Sequence, residues 1–352
     1  MSARVLHVRP PDLVGRPGLV RPVPVDRAGT SGPTPKQARG RAWRRSSRGF
    51  YVPSDVDGES PQQRVLEASV LVPGDGALTG WAALAWRNVR WIDGCDDHGS
   101  RRPVTVVTPG CRVRPRPGIE VSHERLLPGE RLSHDGVVVT GPLRSTAFEV
   151  RRAPSPVAAV RWLDLVAASD LISLEEMRAY AETLTAWAGI DLLRWALRYA
   201  EENVWSPPEV DLRLTWTVRM GLADVVCNRP VFDLEGRHIG TPDVLDLRAG
   251  LVGEYDGELH LAGKQRAKDL RREGDFRRVG LEYVTMVASD LPQPADFMRR
   301  TRDARARARR TPVSERTWTI TPPPWWVLTD TVAERRALTA WQRDRFLRQR
   351  AG

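Results

Sequence analysis

The sequence predicts a two-part α/β protein, an α+β N-terminal half followed by a C-terminal mixed sheet flanked by helices. Three observations carry that expectation. Residues 104–139 are β-rich and punctuated by turns. Residues 151–205 repeat apolar side chains at helical spacing. From Ser206 onward the order is helix, three strands, helix, strand. At 352 residues the chain is long enough for two cores. The expected divisions are an irregular arm over 1–35, an α+β region over 36–150, a helical connector over 151–205, the mixed-sheet domain over 206–298, and a basic segment with a terminal helix over 299–352.

Composition narrows the class. Apolar residues make up 41% and charged residues 28%, ordinary for a globular protein. The net charge of +10 is carried mainly by arginine, whose planar fork suits phosphate oxygens. Cys95, Cys111 and Cys227 lie far apart with no CxxC spacing, so neither a disulfide framework nor a zinc ribbon is expected, and a reducing, cytoplasmic setting fits. There is no apolar leader-like stretch and no run long enough to span a bilayer, so no membrane association is expected.

Along the chain, "ARGRAWRRSSRGFYVP" interleaves arginines with Trp43, Phe50 and Tyr51. Arg44, Arg45 and Arg48 are candidate phosphate contacts there; a basic rim beside a strand whose aromatics enter the core fits equally well. "SPQQRVLEASVLV" predicts a helix, and "GALTGWAALAW" a second one with Thr79 as its cap. "SLEEMRAYAETL" opens with the capping box Ser173 and Glu176, and "SPPE" with Ser206 and Glu209. "DVVCNRPVFD", "GRHIGTPDVLDL" and "LVGEYDG" read as three strands, "AGKQRAKDLRREGDFRRVG" as a polar helix, and "LEYVTMVAS" as a last strand. In "RRTRDARARARR", Arg305, Arg307 and Arg309 are further candidates for the phosphate backbone, against the alternative of a solvated helix face.

The C-terminal strands carry the chemistry. Glu254 and Asp256 are two apart, so they share a strand face while Tyr255 points the other way. An antiparallel turn about residues 248–250 brings Asp243 toward Glu254. Three anions gathered in this way need hydrogen bonds, solvent or a cation. Mg²⁺, or Mn²⁺ in its place, is held by one or two carboxylates plus water and phosphate oxygens, so Asp243, Glu254 and Asp256 are the candidate metal ligands.

The residues 206–291 resemble very-short-patch-repair-endonuclease-like domains of the PD-(D/E)XK nuclease superfamily. The matching pieces are Glu209 on a capped helix, "TPD" ending at Asp243, "EYDG" at 254–257, "DLRR" at 269–272, and Gly280 before the last strand. The resemblance implies a restriction-endonuclease-like fold and Mg²⁺-dependent cleavage of nucleic acid, with DNA the expected partner. It further implies that Glu209 assists from its helix and that Arg272 belongs to the nucleic-acid face. The superfamily's usual lysine is replaced here by Asp256. Lys264 or Lys268 on the next helix would return a cation to the site, with Lys268 also a candidate nucleic-acid contact, and His260 would serve as a base toward water. An ordinary exposed histidine is the competing reading of His260.

The N-terminal half resembles AbiEi-type antitoxin-like proteins through "SRGFYVP", "GALTGWAALAW" and "VVVTGPLRSTAFEV". That resemblance implies a toxin-like protein partner and a role in repair, defence or a toxin–antitoxin-type system. Two further readings stay open, a non-catalytic nucleic-acid-binding regulator that retains the nuclease fold, and an interaction module whose acidic patch meets a basic protein.

Overall fold

The computed structural model describes residues 10–110, 113–257, 264–310 and 312–347, with side chains of the helix beginning at Lys264 described from Leu270 onward. It is a mixed α/β structure that divides into two compact units, Met1–Glu149 and Val150–Gly352. Among the described residues no helix is long and apolar enough to cross a membrane.

The first unit begins with the hairpin β1 (Asp12–Leu13) and β2 (Arg16–Val20). A three-stranded antiparallel sheet follows, built from β3 (Val23–Pro24), β4 (Trp43–Ser47) and β5 (Phe50–Pro53) in the order β3-β5-β4. Next come α1 (Pro61–Ser69), β6 (Ala77–Thr79), α2 (Trp81–Trp86), β7 (Val104–Val107), β8 (Ile119–Ser122), β9 (Arg131–His134), β10 (Val137–Thr140) and α3 (Pro142–Arg151). Strands β6 to β10 form a five-stranded mixed sheet in the order β8-β7-β6-β10-β9.

Two expectations are corrected in this unit. Residues 12–24 are not an irregular arm but strand-forming. Val20 is fully buried, and the Gln63 amide of α1 satisfies both its backbone groups, accepting from its N–H at 3.0 Å and donating to its carbonyl at 2.8 Å. Thr79 is not a helix cap either. It ends β6, with its hydroxyl 2.9 Å from that of Thr140, and the carboxylate of Glu149 instead accepts from the Trp81 N–H at 2.6 Å at the start of α2.

The second unit opens with the helices α4 (Pro156–Ala168), α5 (Leu174–Thr183) and α6 (Ile190–Tyr199). The capping box on α5 forms as expected, Glu176 N–H donating to the Ser173 hydroxyl and Ser173 N–H to the Glu176 carboxylate. Then α7 (Pro207–Leu214) runs into a π-helical turn at Thr215–Arg219. The remaining elements are β11 (Val225–Cys227), β12 (Val231–Asp233), β13 (His238–Gly240), β14 (Val244–Asp246), β15 (Leu251–Asp256), α8 (Lys264–Arg278), β16 (Glu282–Val287), α9 (Ala295–Ala308), β17 (Trp318–Thr319), α10 (Val332–Ala337) and α11 (Ala340–Phe346).

The stretches 225–233 and 238–246 each hold two strands rather than one, and the two strands join different sheets. Asn228 takes a left-handed conformation with φ 46° and Pro230 follows it, so the ladder breaks there. The outcome is a four-stranded sheet in the order β11-β14-β15-β16 and a three-stranded sheet in the order β13-β12-β17. In the larger sheet β15 pairs antiparallel with β14 and parallel with β16.

Strand alternation then sorts the side chains. Val244, Leu251, Val284 and Met286 face a core with Leu212 and Trp216 of the α7 region and Phe297 and Ala304 of α9. Leu245 and Val252 face the opposite way, against Phe276 of α8 and Trp318 of β17. Gly253 lies on the first face, where a Cβ would stand 2.7 Å from the Trp216 ring and 2.7 Å from a Val244 methyl. Gly253→Ala should therefore lower stability by roughly 2 kcal/mol, the usual cost of overpacking, read as a shifted denaturant midpoint with an unchanged slope.

Candidate active site

The register Val244↔Gly253 and Leu245↔Val252 continues outward to set Asp243 opposite Glu254. Directly opposed residues of an antiparallel pair share a face, and Asp256, two residues after Glu254, shares it too. This is the α8 face of the sheet. The structure thus brings Asp243 and Glu254 together, with Asp256 at the end of β15, opposite Val287.

The pair is held from several directions. Asp243 Oδ2 accepts from the Tyr255 N–H at 2.7 Å. Arg272 of α8 places a guanidinium nitrogen 2.9 Å from a Glu254 oxygen and also donates to the Thr241 carbonyl. Glu254 is 7% exposed. Burial pushes the Asp243 carboxyl up to about 7; the nearby charge of Glu209 adds to the rise, while the Tyr255 N–H, Arg272 and a hydrogen bond with Glu254 oppose it. Protonation of a carboxyl in such a cluster relieves repulsion between anions brought close together. Tyr283, on the neighbouring strand, keeps its phenol proton well above the ordinary range, chiefly through burial and then through the charge of Glu254.

Glu209 stands beside this pair but is already engaged. Its carboxylate accepts from the Trp205 N–H at 2.9 Å, the Ser206 hydroxyl at 2.8 Å and the Asn228 amide at 2.8 Å. The expected capping box is therefore altered: Ser206 occupies the cap position, but its hydroxyl donates to Glu209 rather than accepting from the helix backbone. Asn228 also donates its backbone N–H to the Asp243 carbonyl at 3.1 Å. It ties the Glu209 side chain to the Asp243 main chain, a positioning role that sequence pattern did not suggest. An Asn before an Arg-Pro step is its one local signal, being a residue type that tolerates the left-handed region.

Of the other candidates, His260 lies outside the described residues, as does Cys111. Lys264 and Lys268 fall on α8, with side chains outside the described set. Among the described residues no three His, Cys, Asp or Glu side chains form a ready-made metal cluster. A divalent cation that keeps several waters needs only one or two carboxylates, so the opposed Asp243–Glu254 pair has donor chemistry that suits it.

The arginine candidates separate. Arg44 is bound by Glu67 at 3.0 and 2.5 Å, and Trp43 is buried, so this strand matches the basic-rim alternative at those two positions. Arg45 and Arg48 are exposed, Arg45 reaching the Ser47 carbonyl at 3.3 Å. On α9 the expectation that Arg305 faces solvent is corrected. Its Nε lies 2.6 Å from Asp246, whose side chain is 0% exposed, because Asp246 points to the α9 face of the sheet. Arg307 is exposed beside Glu282 at 3.2 Å, and Arg309 is exposed at the helix end. Arg305→Ala should cost about 2–3 kcal/mol, since it strands a buried carboxylate that retains only the Ala249 N–H; a thermal midpoint equal to wild type would disprove the pairing.

Comparison with models of known protein families, with curated proteins and with solved structures returned no match.

Proposed function

We propose that the second unit is a restriction-endonuclease-like domain that hydrolyses phosphodiester bonds of nucleic acid with Mg²⁺ or Mn²⁺, DNA being the favoured substrate. The observation that carries the reading is the opposed pair Asp243 and Glu254 on adjacent strands of a mixed sheet, held by backbone and α8 contacts. Asp243 and Glu254 would hold the cation, with Asp256 at the strand end completing or tuning its shell. A bound divalent ion supplies charge neutralisation at the scissile phosphate and a more acidic water. The protein's own share is positional. Asn228 fixes the Asp243 backbone, Glu209 adds negative potential, and Arg272 balances Glu254 until a phosphate is present.

A second reading is favoured by that same Arg272. Its ion pair with Glu254 occupies an oxygen that a metal would need, and Asp256 stands where the superfamily usually has lysine. Under that reading the fold binds nucleic acid as a regulator, in keeping with the antitoxin-like resemblance of the first half, and a toxin-like protein is its partner. An assay of the purified chain with Mg²⁺ and with Mn²⁺ on duplex, single-stranded and structured DNA and RNA separates the two. Metal-dependent strand scission supports the nuclease; binding without scission on every substrate form supports the regulator.

A further inference from the structure

After β17 the chain runs through Pro322, Pro323 and Pro324 to Trp325 and Trp326. The segment is fixed rather than loose. β17 pairs with β12, the Trp326 N–H donates to the Pro323 carbonyl at 2.9 Å, and Pro323 lies against the β12–β13 turn at Gly236. Trp326 packs edge-on against the buried Phe232 at 4.9 Å between ring centres and lies 4.9 Å from the His238 ring at a 37° tilt. Trp325 stands 5.8 Å from Trp326 with its ring turned 62° to it, and is 63% exposed.

This aromatic surface adjoins the carboxylate pair. His238 Nε2 lies 3.1 Å from the Thr241 hydroxyl, and the Thr241 carbonyl receives Arg272, the partner of Glu254. Asp243 follows two residues later. Burial lowers the His238 pKa, the Gly240 backbone opposes the fall, and the charge of Arg272 adds to it.

We propose that Trp325, backed by Trp326 and through it by His238, is a stacking platform for an unpaired nucleobase of the strand whose backbone approaches Asp243 and Glu254. The proposal rests on the nucleic-acid reading above. An exposed indole face accepts any base, whereas Arg272, joined to His238 through Thr241, and the chain's charge of +10 favour a polyanion over a neutral peptide or a second copy of the chain. The platform accordingly selects single-stranded or frayed substrates over blunt duplex.

The test uses the full chain in EDTA, so that binding is read without cleavage. Fluorescence anisotropy with a labelled duplex bearing a single-stranded overhang should show Trp325→Ala binding about tenfold more weakly than wild type, with Trp325→Phe retaining most of the affinity. Binding to the blunt duplex should hardly change. Thermal unfolding should be unaltered, as the side chain is mostly exposed. The proposal is overturned if Trp325→Ala binds the overhang like wild type, if it loses both substrates equally, or if light scattering shows that the substitution acts only by dissolving a dimer. A platform effect in a chain that never cuts would remove the nuclease reading alone. Metal-dependent cutting with overhang binding unaffected by Trp325→Ala would remove the platform alone.

Discussion

Asp243→Ala should lower metal-dependent cleavage by more than about 100-fold while leaving nucleic-acid affinity within a factor of about two. Substitutions of residues that merely support a metal ligand typically cost 10- to 100-fold, so loss of a ligand should cost at least as much. Affinity should survive because exposed arginines such as Arg48 and Arg309 are untouched. The fold should survive as well, since the change removes a charge that the native state holds at a cost. Cleavage by the variant at the wild-type rate would exclude Asp243 from the site.

The cost of that charge gives the second large effect. The folded-state pKa of Asp243 stands near 7 against an ordinary 3.8. Between those values the folded chain binds a proton that the unfolded chain has lost. Stability therefore falls as pH rises from about 4 to about 7, and the full penalty applies above 7. The shift corresponds to at most about 4 kcal/mol, and less for Asp243 alone because its titration is tied to the neighbouring carboxylates Glu209 and Glu254. Asp243→Asn, measured by denaturant unfolding in EDTA, should match wild type near pH 3.5 and exceed it by roughly 1–3 kcal/mol at pH 8. Asp164, also raised to about 7 by burial, adds a similar slope to both proteins, so the difference between them isolates Asp243. Parallel stability curves across that range would show that Asp243 is ionised in the fold without penalty.

The carboxylate pairing was legible in the sequence because it rests on two local rules. Strand alternation put Glu254 and Asp256 on one face, and a short turn set Asp243 opposite. The order of helices and strands followed from periodicity in the same way. Less legible was anything decided by a distant partner. Nothing near Arg305 in sequence distinguishes it from Arg307 and Arg309; its burial follows from Asp246, 59 residues away, pointing toward α9. The split of residues 225–233 follows from the left-handed Asn228 and Pro230, and that of 238–246 falls at Thr241 to Asp243, where Pro242 has no N–H for a ladder. The Ser206–Glu209 spacing does mark a helix start, but a hydroxyl can donate as readily as accept, and the buried Glu209 carboxylate accepts its hydrogen bond. Trp325 drew no attention because exposure is a tertiary property.

Nuclease activity in the second unit requires that the Asp243–Glu254 pair take a divalent cation. Mn²⁺ binding, followed through the electron paramagnetic resonance of the free ion in the presence of an uncleavable oligonucleotide, tests this most directly. Wild type should sequester Mn²⁺ in stoichiometric amount, and the double variant Asp243→Asn, Glu254→Gln should leave it free while remaining folded. Equal sequestration by the two proteins, or none by either, would contradict the cation site and leave the second unit a binding domain.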